Sequence, residues 1–156
     1  MKTRDLIAKP PVAVPSETTV QEAAALMESA NVGALLVTDG GRLAGIVTDR
    51  DIVVRAVAGG YPPHARIDSF MSTTIVTVDA DADVHEAYRI LGTHGVRRLP
   101  VVAGDAIVGM LTVDDLIVGI ATDLDRLVQP VVGELIFGHH PSPTPAVPAG
   151  VQLSAG

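Results

Sequence analysis

The sequence predicts an α/β protein of the α+β type, built from two β-α-β-β-α repeats packed about a pseudo-two-fold axis. Three observations predict it. Thr48 and Thr112 stand 64 residues apart (112 − 48), and that offset aligns about fifty residues of the chain with itself, without gaps. Each aligned stretch alternates short apolar runs with segments of helical apolar spacing, punctuated by turn residues. The composition, 47% hydrophobic, 19% charged and only 3% aromatic, supplies a core that has to be aliphatic.

The elements follow in order. The offset pairs Val12 with Val76, Val14 with Val78, Val20 with Val84, Glu22 with Glu86, Leu35 with Leu99, Gly40 with Gly104, Gly45 with Gly109 and Asp51 with Asp115. A short β stretch opens each copy, Val12 to Val14 and Ile75 to Val78. A helix follows, with Val20, Ala23, Ala24, Met27 and Ala30 on one face in the first copy and Val84, Ala87, Tyr88 and Leu91 in the second. Two apolar runs then form a hairpin, Ala34 to Val37 and Leu43 to Val47 about Asp39-Gly40-Gly41, matched by Leu99 to Val102 and Ile107 to Leu111 about Gly104-Asp105. A last helix begins after Thr48 and after Thr112, and Gly59-Gly60-Tyr61-Pro62-Pro63 connects the copies. Neither copy alone covers a three-stranded sheet carrying helices on one face, so the two are expected to pack on each other and leave equivalent clefts on either side of the axis. The expected divisions are 1–63 for the first copy with its linker, 64–125 for the second, 126–138 for an amphipathic C-terminal segment and 139–156 for a Pro-rich, disordered tail. Pro130 predicts a kink or break within the amphipathic segment.

The feature that carries chemistry is Gly-x-x-Thr-x-x-Asp, present as GIVTDRD from Gly45 and GMLTVDD from Gly109. Thr with Asp three residues on is a form of capping box, the hydroxyl accepting from a free backbone N–H and the carboxylate suiting the positive end of the helix. The spacing recurs at Thr122–Asp125 with no strand before it, so by itself it implies no ligand. In both repeats, however, it sits at a strand-to-helix junction, where free N–H groups suit an anion and an acidic side chain can accept from both hydroxyls of a ribose.

This duplicated unit, with its two Thr-x-x-Asp motifs and the run Val96-Arg97-Arg98-Leu99-Pro100-Val101-Val102, resembles a pair of CBS domains, the Bateman module, over roughly residues 3 to 125. With its short extra tail the chain is similar to the stand-alone two-CBS proteins of actinobacteria. The resemblance implies clefts between the copies that take an adenosine-containing ligand (AMP, ADP, ATP or S-adenosylmethionine), with no covalent cofactor. It implicates Thr48 and Asp51 in one cleft and Thr112 and Asp115 in the other, with Leu36 and Pro100 flanking the base and the first strands offering backbone groups to the adenine edge. Arg50, Arg97 and Arg98 are candidates for phosphate contacts through their planar forks, or else are solvated or paired with carboxylates. Repeat one carries Arg50 where repeat two has Asp114, and repeat two carries Arg97 and Arg98 where repeat one has Gly33 and Ala34, so two equal sites are not expected.

Other chemistries find less support. A net charge of −7 and the scarcity of aromatic rings argue against nucleic acid, which calls for basic surface and stacking platforms. There is no cysteine, and His64, His85, His94, His139 and His140 show no metal-ligand spacing. Asp79, Asp81 and Asp83 alternate without the Gly and Glu of a calcium loop, and Asp83 is placed to cap the following helix. No catalytic Ser-His or Cys-His arrangement or phosphate-cradling Gly-Lys loop is found, so no enzyme activity is expected. No apolar run is long enough to span a membrane. The expectation is a cytoplasmic regulatory protein that forms a homodimer through helical faces and acts on an effector protein, or alternatively an interaction module with empty clefts.

Overall fold

The computed structural model describes residues 1–137, so the expected tail at 139–156 lies outside the described residues. The chain divides into two units, Met1–Gly119 and the remainder from Ile120. All six strands lie in the first.

Each repeat forms its own three-stranded sheet, in the order β1-β2-β3 or β4-β5-β6. In the first, β1 (Ala13–Pro15) pairs parallel to β2 (Ala34–Asp39), which pairs antiparallel to β3 (Arg42–Thr48). In the second, β4 (Val78–Asp79), β5 (Arg98–Ala103) and β6 (Ala106–Thr112) repeat the pattern. The register shifts between Val37 and Thr38 and again between Val101 and Val102, so the duplication extends to an irregularity of pairing. The opening strand of repeat two is shorter and later than the run Ile75 to Val78 predicts.

Helix α1 (Val20–Ala30) turns Val20, Ala23 and Met27 inward, and α3 (Val84–His94) turns in Val84, Ala87, Ile90 and Leu91. Thr19 and Glu22 close a full capping box on α1. Asp83 caps α3 through the N–H of His85 at 2.9 Å, and that hydrogen bond is the largest cause holding the Asp83 carboxyl below its usual range. Both helices end on a left-handed residue, Asn31 (φ 52°) and Gly95 (φ 63°), at equivalent positions. Strand alternation then divides the interior. Leu35 and Val37 join one aliphatic core with α1, while Leu99 and Val101 join another with α3.

The two repeats exchange their leading segments. A 3-10 turn at Thr3–Leu6 docks on repeat two, with Thr3 N–H on the Ala82 carbonyl at 2.9 Å and Arg4 N–H on Ala80 at 3.0 Å. The equivalent turn at Ile67–Ser69 docks on repeat one through Ile67 N–H to the Thr18 carbonyl at 2.8 Å. The chain therefore crosses between repeats twice, once before β1 and once before β4. Division at residue 63 separates the copies in sequence, but not in space.

After Thr48 a single α-helical turn, α2 (Asp49–Asp51), runs on as a π-helical stretch, Ile52–Val57. After Thr112 the corresponding helix, α4 (Val113–Phe137), is one element that carries Pro130 inside it. The helix continues through Pro130 rather than breaking there. The part of α4 beyond Ile120 exposes Leu124, Leu127 and Val128 and pairs Arg126 with Asp123 at 3.4 Å. No helix among the described residues is long and apolar enough to cross a membrane.

Candidate functional site

Both Thr-x-x-Asp motifs are capping boxes in fact. Thr48 Oγ1 accepts from Asp51 N–H at 3.1 Å, while Asp51 Oδ2 accepts from the Thr48 N–H at 2.9 Å and hydroxyl at 2.8 Å. Thr112 and Asp115 repeat this at 3.1, 2.8 and 2.7 Å. The third copy of the spacing differs, because Thr122 lies inside α4 and starts no helix.

The glycine of the motif has a steric reason. A Cβ on Gly109 would lie 2.6 Å from Ile7 Cγ2, and one on Gly45 would strike Met71. Ile7 and Met71 are equivalent residues of the two exchanged segments, so each glycine receives the side chain that ties a lead segment to the other repeat.

Capping consumes one oxygen of each aspartate, and the second oxygen distinguishes the repeats. Asp51 Oδ1 faces Arg55 Nε at 3.5 Å, and Arg55 is held by a further bond, Nη1 to the Phe70 carbonyl at 3.0 Å. The position equivalent to Arg55 is Gly119, and Asp115 Oδ1 has no protein partner among the described residues.

Around Asp115 lies a cleft of about 360 Å³. One wall is the crossing segment before β1, Ala8 to Val12, and the strand ends of both repeats supply the rest. Thr112, Asp114, Asp115 and Met110 come from repeat two, as does Arg98, with Val12, Val32 and Ala34 from repeat one. The site thus combines an apolar floor with a free carboxylate oxygen and two cations, Lys9 and Arg98. The Arg98 guanidinium reaches repeat one, where its Nη2 and the Asp49 carboxylate both border the space over the Gly33 Cα. That approach gives a steric reason for a glycine at position 33.

On the opposite side of the pseudo-axis, the crossing segment before β4 is stitched to the sheet edge. Ser72 N–H bonds the Ile46 carbonyl at 2.8 Å and Ile46 N–H bonds the Ser72 carbonyl at 3.0 Å. No such pair joins the equivalent residues Ala8 and Met110 among the described residues. The stitch holds the segment onto β3 near Thr48, and a second cleft of about 430 Å³ lies farther along that segment, lined by Thr73, Ile75 and Thr77 with Arg42, Leu43 and Ala44.

Of the candidate residues, the structure brings Thr112, Asp115 and Arg98 together in this cleft. Thr48 and Asp51 are half-buried at the other junction, where Arg50 is exposed. Arg97 is exposed outside the cleft lining, and its backbone carbonyl accepts from Val113 N–H at 3.1 Å. Leu36 on β2 and Pro100 on β5 are fully buried outside the two helix cores, and they do not line the cleft. Sequence reasoning missed Lys9, Asp114 as a lining residue, and Arg55. Comparison of Arg55 with Gly119 at the same offset would have found the last.

Among the described residues no three His, Asp or Glu side chains converge as a metal site would need.

Two exchanged β-α-β-β-α units with capping boxes at both strand-to-helix junctions define a tandem module of one recognisable class. The CBS domain family model matches residues 4–57 and 67–122, and the chain belongs to that family. It is 39% identical over 100 residues to the CBS domain-containing protein YhcV of Bacillus subtilis, covering 64% of this chain and 71% of that one. It is 35% identical over 115 residues to hypoxic response protein 1 of Mycobacterium tuberculosis, covering 72% and 80%. Among solved structures, hypoxic response protein I with two coordinated zinc ions matches with a TM-score of 0.67 at 34% identity, over 74% of this chain and 96% of that one. The protein PAE2072 from Pyrobaculum aerophilum complexed with AMP matches with a TM-score of 0.67 at 28% identity, over 74% and 90%. The CBS pair of MJ0100, in complex with 5′-methylthioadenosine and S-adenosylmethionine, matches with a TM-score of 0.70 at 26% identity, over 79% and 98%.

Proposed function

We propose that this CBS pair is a non-enzymatic regulatory module that holds one adenosine-containing ligand in the cleft at Thr112 and Asp115. The observation that carries the reading is the uncommitted Oδ1 of Asp115, a residue that lines a cleft of about 360 Å³ together with Val12, Val32 and Met110. A ribose offers two adjacent hydroxyls to such an acceptor, and Val12, Val32 and Met110 offer a surface to a base. The adenosyl ligands of the two structural relatives support the same class here. The residues of the site come from both repeats and from the crossing segment, so a ligand there stabilises their mutual packing by mass action. That change in stability or shape is the signal, passed to an effector protein across a homodimer.

Thermal unfolding and calorimetric titration of ligand-free protein with AMP, ADP, ATP and S-adenosylmethionine test the reading. At least one compound is expected to bind and raise the melting temperature. Asp115→Asn, which keeps an acceptor for the Thr112 N–H and so preserves the cap, is expected to weaken that binding by tenfold or more, on the order of 1.4 kcal/mol. Silence from all four compounds would favour the alternative, an interaction module with empty clefts.

A further inference from the structure

The charges around the cleft bear on what its ligand carries at the 5′ position, an inference that rests on the adenosyl reading above. Lys9 and Arg98 contribute two positive charges to the lining, and Asp114 and Asp115 contribute two negative ones. The Arg98 guanidinium also shares the space over Gly33 with the Asp49 carboxylate, so part of its charge is already answered. Asp114 and Asp115 both line the cleft at the start of α4, so a ligand held there by Asp115 also meets the Asp114 carboxylate. A phosphate there carries close to two negative charges at neutral pH and meets one of like sign at Asp114. The same position in repeat one is Arg50, a full reversal of charge at an equivalent point of the fold.

We infer that Asp114 is a specificity-determining residue that makes this cleft select adenosyl compounds with an uncharged, cationic or zwitterionic 5′ substituent over adenine nucleotides. A zwitterionic tail would place its ammonium toward Asp114 and its carboxylate toward Lys9 and Arg98. An uncharged thioether would leave the four side chains to balance one another.

The test titrates ligand-free protein near neutral pH, at fixed ionic strength, with 5′-methylthioadenosine, S-adenosylmethionine, AMP and ATP. The first two are expected to bind at least about tenfold more tightly than the nucleotides. Asp114→Asn, which preserves the size of an exposed side chain, should narrow that ratio, and Asp114→Arg should reverse it in favour of AMP and ATP. Nucleotides that bind wild type as tightly as the thioether, or a ratio unchanged in both variants, would overturn this inference while leaving the adenosyl reading standing. Failure of all four compounds to bind would overturn both.

Discussion

At the scale of single residues, one motif serves different ends in its two copies. Thr48–Asp51 and Thr112–Asp115 cap their helices with near-identical geometry, and what separates them is a neighbour four positions on, Arg55 or Gly119. The capping reading and the ligand reading are thus not rivals, because capping uses one carboxylate oxygen and leaves the other to its surroundings. The glycines of the motif make a separate prediction. Gly109→Ala sets a methyl against the stiff, β-branched Ile7 and is expected to destabilise the protein by about 1–3 kcal/mol. Gly92, within α3, has nothing near its missing Cβ, and Gly92→Ala is expected to stabilise by roughly 0.5–1 kcal/mol. Denaturant unfolding of the two variants checks the opposite signs, and equal shifts would refute the packing account of the motif glycine.

At the scale of elements, the internal repeat made most of the fold legible. An offset of 64 residues located both hairpins, both capped helices and both junctions, because each depends on local apolar period and turn chemistry. What escaped depends on contacts between segments distant in sequence. The docking of Thr3–Leu6 on repeat two rests on backbone bonds to Ala80 and Ala82, which no side-chain pattern announces. The stitch between Ile46 and Ser72 is likewise a backbone event, with no counterpart between Ala8 and Met110 among the described residues. Lys9 went unnoticed because it precedes the first strand and acquires its place only through the crossing of the chain. The helices after the motifs carry a further consequence. Val53, Val54 and Val57 are 59%, 53% and 65% exposed, and Ile117, equivalent to Val53, is 59% exposed. Apolar surface at matching points of both repeats suits a symmetric interface between copies. Val54→Glu combined with Val57→Glu is expected to convert a dimer to a monomer in light scattering after size exclusion. A dimer that survives the pair of charges would place the interface elsewhere.

At the scale of the whole molecule, two near-equal halves make an unequal module. The exchange of leading segments fastens the repeats together, and the crossing segments wall the clefts, so occupancy of a cleft bears on the packing of both repeats at once. Charge and backbone stitching then divide the labour: Arg55 engages Asp51 on one side, while Asp115 keeps a free oxygen on the other. The most direct test of this account is the calorimetric stoichiometry of an adenosyl ligand on wild type, Asp51→Asn and Asp115→Asn. The account predicts one ligand per chain, retained in Asp51→Asn and lost in Asp115→Asn. Two equivalent sites per chain, or a single site lost in Asp51→Asn and kept in Asp115→Asn, would contradict it.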